Sequence, residues 1–165
     1  MEMSVDWGGV LTGITAFLVA LVLKALLDFR LAPLLVKYMH WIPVRTVFRS
    51  NPIDISGKWE HLWVTLESEK YKNEIDRHSH TEIKQMGAYC YAEFYSKGDK
   101  YLLFGRITDG YLVGDWHDAV DRTGYFGAFQ VQVINKCELS GRWIGHSKTI
   151  QSIRGGEWLW KKLPE

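Results

Sequence analysis

Between Gly8 and Leu27 the chain runs GGVLTGITAFLVALVLKALL, twenty residues with a single charge, Lys24. Wound as a helix at ~1.5 Å per residue, this run reaches ~30 Å, the hydrocarbon thickness of a bilayer. Lys24 lies within a turn of its end, where the stem stays in lipid and the ammonium snorkels to the headgroups. The expectation is a membrane-spanning helix. Two other readings compete with it. A cleaved signal peptide opens on a basic segment and closes on a small-x-small site, whereas Glu2 and Asp6 precede this run and no clear site follows. A helix buried in a soluble core is rarely so uniformly apolar over its whole length.

The charges flanking the run are lopsided. Glu2 and Asp6 stand before it; Lys24, Arg30, Lys37, Arg45 and Arg49 stand in or after it, against Asp28 alone. Lys and Arg beside a membrane-spanning end mark the cytoplasmic side. The N-terminus is therefore expected outside and the following domain in the cytoplasm. Cys90 and Cys137 then meet a reducing compartment and stay free thiols. The 165 residues divide on this reading into a membrane anchor over 1–50 and a domain over 51–165. A net charge of +1 leaves no electrostatic footprint for duplex nucleic acid, so no DNA or RNA polymer is expected as a partner.

Residues 28–50, DFRLAPLLVKYMHWIPVRTVFRS, are apolar but interrupted by Arg30, Lys37 and His40 and broken by Pro33 and Pro43. They suit a segment lying in the membrane interface, with Tyr38 and Trp41 at headgroup depth. An amphipathic helix packed on the domain and a tilted second span are the alternatives.

From Ile53 the period changes to two. Ile55, Gly57, Trp59, His61, Trp63 and Thr65 alternate with more polar neighbours, as in a long strand. Further strands are expected over 78–86, 88–95, 101–108, 111–117, 125–134 and 137–146. The last stretch, 149–162, is interrupted at Gly155-Gly156, by a bulge within one strand or a turn between two. Asp109-Gly110 suits a tight hairpin. About eight antiparallel strands joined by short turns close most simply as an up-and-down, lipocalin-like β-barrel, which is wide enough for one small ligand. Eight Trp, eight Tyr and seven Phe favour a ring-lined interior.

A Gly-x-Trp triplet recurs at Gly57/Trp59, Gly114/Trp116, Gly141/Trp143 and Gly156/Trp158, and residues 107–116 echo 134–143. A small residue beside a large one lets a ring fold over the backbone or lets the wall bend. These tryptophans either plug the core or stack on a flat ligand. Arg106, Arg142, Lys148 and Arg154 sit among the aromatics, and arginine binds phosphate bidentately. The candidate ligand contacts are Trp59, Trp116 and Trp143 for stacking, with Arg106 and Arg142 for charge. Arg142 is opposite in parity to Trp143; the parity of Arg106 is open, because Leu102/Phe104 and Leu103/Ile107 are equally apolar.

Catalytic chemistry is hard to find. The chain has no phosphate-binding Gly-x-x-x-x-Gly-Lys loop, no Cys-x-x-Cys pair and no Gly-x-Ser-x-Gly elbow. His78, His80 and Glu82 share a strand face, but neighbours on such a face stand ~7 Å apart and do not converge on a metal without a bend. Asp115, His117, Asp118 and Asp121 straddle a hairpin loop and read as its solvated rim. No catalytic residue, metal or cofactor is expected.

Taken together, the outer N-terminus, apolar run, basic flank, Ile55-Ser-Gly-Lys-Trp59 opening the barrel and Gly156-Glu-Trp158 near its close resemble one family. It is that of the membrane-anchored β-barrel effectors of CBASS-type anti-phage defence, the SMODS-associated effectors with two membrane helices and a β-strand-rich domain. The resemblance implies a barrel that binds a cyclic dinucleotide or related cyclic oligonucleotide, and helices that assemble as a homo-oligomer and disrupt the lipid bilayer of the bacterial inner membrane. The chain departs from the family in presenting one clear membrane helix instead of two, so residues 31–47 would have to supply the second. Gly9-x-x-x-Gly13 matches a small-x-x-x-small packing face for such assembly. The rival expectation is a membrane-tethered, lipocalin-like carrier of an apolar ligand.

Overall fold

The period-two alternation that begins at Gly57 resolves into eight antiparallel strands: β1 (Gly57–Trp63), β2 (His78–Met86), β3 (Tyr89–Ser96), β4 (Asp99–Thr108), β5 (Tyr111–Asp118), β6 (Tyr125–Asn135), β7 (Glu138–Ser147) and β8 (Ser152–Lys162). The computed structural model of the protein describes residues 13–22, 31–42, 52–64, 73–149 and 151–164. Each strand pairs with the next, and β1 also pairs with β8, so the sheet closes into an up-and-down barrel with no free edge.

Tight turns set the register. Asp109 and Gly110 both take positive φ, 51° and 80°, which is the geometry of a two-residue hairpin whose twist matches the strands it joins. At β8 the chain stays one strand straight through Gly155-Gly156, with unbroken partners from Glu138↔Lys161 to Ser147↔Ser152. The register shift in the barrel lies elsewhere, between Val133 and Asn135 of β6.

Alternation sends one face of each strand inward. The interior is a single cluster that includes Ile55, Trp59, Ile83, Leu103, Val131 and Trp160. Glycine pairs bring the wall close to itself. Gly127 faces Gly145 across β6 and β7. A Cβ at Gly127 would run into the Ile144 carbonyl, and one at Gly145 would run into the Trp116 ring. The small residue is there because an indole folds over it.

Two helical segments precede the barrel: α1, residues 13–22, and α2, Leu31–Met39. Among the described residues no helix is long and apolar enough to cross a membrane. Much of the Gly8–Leu27 run, including Gly9 and Lys24, lies outside the described residues, as do Arg45 and Arg49. Every described residue of α1 is exposed, and a Cβ at Gly13 would meet nothing within 4 Å. Pro33 falls in the first turn of α2, where a missing N–H is tolerated.

The chain divides into compact units over 1–34 and 35–165. Within the second, the C-terminal half of α2 is tied to the outer wall of the barrel. Val36 is buried, and the Lys37 ammonium lies 2.6 Å from Glu93 on β3. Glu93 also receives Lys100 at 2.6 Å and the Tyr91 hydroxyl at 2.7 Å. Burial pushes the Glu93 carboxyl up, but hydrogen bonds from Lys100, Lys37 and Tyr91 outweigh it and hold it at about 2. The opposite side of the segment stays exposed, with Tyr38 at 64% and Trp41 at 74%. The segment therefore packs on the domain through Val36 and Lys37 while offering its aromatic residues outward.

Candidate functional site

In an up-and-down barrel, residues early in odd strands and late in even strands share one end; those late in odd strands and early in even strands share the other. The two ends of this barrel differ in construction. At the first, the segment leading into β1 crosses the interior. The Ile55 N–H donates to Gln85 Oε1 at 2.9 Å, and Gln85 Nε2 donates to the carbonyls of Ile53 and Gly87 at 3.1 and 2.9 Å. Trp59 Nε1 donates to the Ile55 carbonyl at 2.8 Å. Ile55 and Trp59 are fully buried, so this end is plugged.

The second end gathers inward-facing rings that remain half-buried: Trp63 of β1, Trp116 of β5, Tyr125 of β6 and Trp143 of β7. Trp143 meets Trp63 edge-to-face at 5.7 Å and Trp116 at 6.1 Å. Trp116 in turn meets Tyr101 at 5.9 Å. Arg154, paired with Gly145, falls on the same inward face of β8 as Gly156, Trp158 and Trp160. Asp118, inward at this end, accepts at Oδ1 from the N–H groups of Val120 and Asp121 at 2.8 and 3.0 Å. Its charge thus serves the β5–β6 loop. The end offers flat apolar faces beside an inward cation.

Deeper in, His61 is fully buried among packed rings. It stacks on Trp160 at 4.4 Å and meets Phe94 edge-on at 4.8 Å. Burial, then the nearby His80 and His78, lower its pKa to about 3. The neutral ring accepts from Trp158 Nε1 at Nδ1, 3.1 Å away. Its proton is therefore on Nε2.

The residues expected from the sequence divide. Trp116 and Trp143 come together at the half-buried end. Trp59 belongs to the plug, at the other end. Arg142 is exposed on the outer face, as its parity against Trp143 requires. Arg106 also lies on the outer face, paired with Tyr89 and 5.6 Å from that ring. Lys148 is engaged with Asp121 at 2.7 Å. The structure adds Trp63, Tyr125 and His61, and of the four cations it places Arg154 on the inward face of β8. Strand direction was the available signal, since Trp63, Trp116 and Trp143 fall late in odd strands and Tyr125 and Arg154 early in even ones.

His78, His80 and Glu82 face outward and are exposed, and Cys90 and Cys137 are free thiols. Among the described residues no three His, Cys, Asp or Glu side chains are grouped to hold a metal. The chain matches no family model, no curated protein and no solved structure.

Proposed function

We propose that this protein is a membrane-tethered sensor, without catalytic activity of its own, whose barrel binds a small, flat, anionic ligand through its half-buried end. The ligand class that fits is a cyclic dinucleotide or related cyclic oligonucleotide. One observation carries the reading: Trp63, Trp116 and Trp143 line the same barrel end with an inward arginine, Arg154, while the opposite end is plugged. A nucleobase offers a flat face to an aromatic ring, and a phosphate takes the bidentate guanidinium.

On the strength of the sequence, the apolar run Gly8–Leu27 spans the inner membrane of a bacterium with its N-terminus outside and the barrel in the cytoplasm. Ligand binding, activating or restraining, sets the assembly of the tethers into a homo-oligomer that disrupts the bilayer, as in the anti-phage effectors the sequence resembles. Binding and assembly are then linked, each favouring or opposing the other by the same free energy. The exposed Tyr38 and Trp41 suit an interfacial position for α2.

The predominance of aromatic surface favours a second reading, a lipocalin-like carrier of an apolar ligand. The two are separated by calorimetric titration of the full chain in lipid nanodiscs with a panel of cyclic di- and trinucleotides. Binding of one member that is lost in Arg154→Ala and weakened in Trp143→Ala supports the sensor. A folded barrel that ignores the whole panel and instead takes up a fatty-acyl probe, with Arg154→Ala unaffected, supports the carrier.

A further inference from the structure

Three buried side-chain nitrogens of the barrel interior make no hydrogen bond within the protein, and all three are N–H donors. Trp116 Nε1, Trp160 Nε1 and His61 Nε2 are buried without a protein partner. His61 joins this set as a donor because its Nδ1 already accepts from Trp158. His61 and Trp160 are each 1% exposed. Several inward oxygens already take part in hydrogen bonds. Asp118 holds its loop, and the hydroxyls of Ser79, Thr81 and Ser96 donate to the carbonyls of His80, Glu93 and Asp76. Among the described residues no buried side-chain oxygen is left without a partner. A buried N–H without an acceptor is costly, which is why such groups are rarely left so in native structures.

The three donors are joined by one run of inward rings. His61 stacks on Trp160, and rings lead from His61 through Phe94 and Tyr101 to Trp116 at centroid separations of 4.8, 5.4 and 5.9 Å. The lining thus combines flat faces for a ring with N–H groups for its edge.

Building on the sensor reading above, we infer that the barrel selects an oxo-base, guanine or uracil, over the amino-bases adenine and cytosine. Guanine presents O6 beside N7, and uracil presents O4, as acceptors. Adenine and cytosine carry an exocyclic amino group at the corresponding place, which sets donor against donor. A site whose polar groups are left unpaired by the wrong base discriminates far more strongly than one that reads shape alone. Trp116 is the donor nearest the half-buried end; Trp160 and His61 lie deeper.

The test uses the full chain in nanodiscs, titrated separately with cyclic di-GMP, cyclic di-UMP, cyclic di-AMP and cyclic di-CMP. The guanine or uracil compound should bind at least tenfold tighter than either amino-base compound. Trp116→Phe, which keeps a ring and removes the N–H, should erode that preference about tenfold, by weakening the guanine or uracil compound more than cyclic di-AMP. In the unsubstituted protein, ¹⁵N-labelled indole resonances of Trp116 and Trp160 should move downfield only with the preferred compound. Equal or tighter binding of an amino-base compound overturns the inference while leaving the sensor standing. So does a preference that survives Trp116→Phe, or tight binding with unmoved indole resonances, which would mean that buried water serves these donors. If none of the four binds, the sensor reading fails and the base preference fails with it.

Discussion

Trp59 and Trp143 both follow a glycine by two residues, both point into the barrel, and both donate an indole N–H to a backbone carbonyl. The likeness ends there. Trp59 is 0% exposed and reaches Ile55 at 2.8 Å, under a segment that Gln85 pins across the interior. Trp143 is half-buried and reaches Val64 at 3.3 Å, packing against the edge of the core with the half-buried Trp63 and Trp116 rings beside it. The same sequence triplet therefore serves as structure at one end of the barrel and as accessible lining at the other. What separates them is the chain that enters β1, which covers one end with Ile55.

Three perturbations press on this difference, two at the plugged end and one in the middle of the interior, the strongest first. Trp59→Ala should lower unfolding free energy by about 3–5 kcal/mol, the usual cost of deleting a fully buried large ring. Chemical denaturation measures it. A loss near 1 kcal/mol would mean that the plug end collapses easily and is not the more solid of the two.

Acid reaches the middle of the lining through His61. Its native pKa of about 3 lies below the ordinary 6.5. The unfolded chain therefore takes up a proton that the native state refuses, and stability falls as pH drops below 6.5 and stops falling on this account near 3. The slope is about 1.4 kcal/mol per pH unit, or about 2–3 kcal/mol between pH 6.5 and 4.5. Below 4.5 Glu93, held at about 2, adds a loss of the same sign. His61→Phe should flatten the upper part of the profile in denaturation curves run at stepped pH. An unchanged slope would place its origin outside the barrel interior.

Gln85→Leu tests the pin itself. It leaves the Ile55 N–H and the carbonyls of Ile53 and Gly87 without the amide that now joins them. The expected cost is about 1–2 kcal/mol, with faster hydrogen exchange at Ile55 and little change at the half-buried end. Equal exchange at both ends would dissolve the distinction.

Much of this architecture is legible in the residue pattern alone. The period-two runs give all eight strands; the second is expected and found over His78–Met86, and Asp109-Gly110 makes the tight hairpin its residue types predict. Where the pattern left two outcomes open, the physics was two-sided. Gly155-Gly156 reads as an interruption because glycine weakens strands. Yet here it sits in an intact ladder, since Cβ atoms at either position would meet the carbonyls of Val64 or Trp143. Arg106 has no readable parity because the outer face of β4 is apolar as well: Phe104 points outward and stacks on Tyr89 at 6.0 Å. The candidate site was half legible. Alternation tells which tryptophans face inward, but the end they occupy depends on strand direction, and their exposure depends on a non-repeating segment, residues 52–56, that no periodicity describes.

The smallest expected effect is the most discriminating. Trp143→Ala should cost only about 1 kcal/mol. The ring is only partly buried, so its removal forfeits less buried apolar area than removal of Trp59 does. Its hydrogen bond is long, and its edge-to-face contacts with Trp63 and Trp116 are worth ~0.5–1.5 kcal/mol beyond burial. A core tryptophan cannot be removed so cheaply, because its neighbours close only partly over the cavity. The pair of values, about 3–5 kcal/mol at Trp59 against about 1 kcal/mol at Trp143, is thus a direct reading of which rings hold the barrel and which lie open to a ligand. If Trp143→Ala instead costs as much as Trp59→Ala, the aromatic row of the second end is core after all. A ligand could then enter only by displacing packed rings, and the stacking role assigned to Trp63, Trp116 and Trp143 would lose its physical basis.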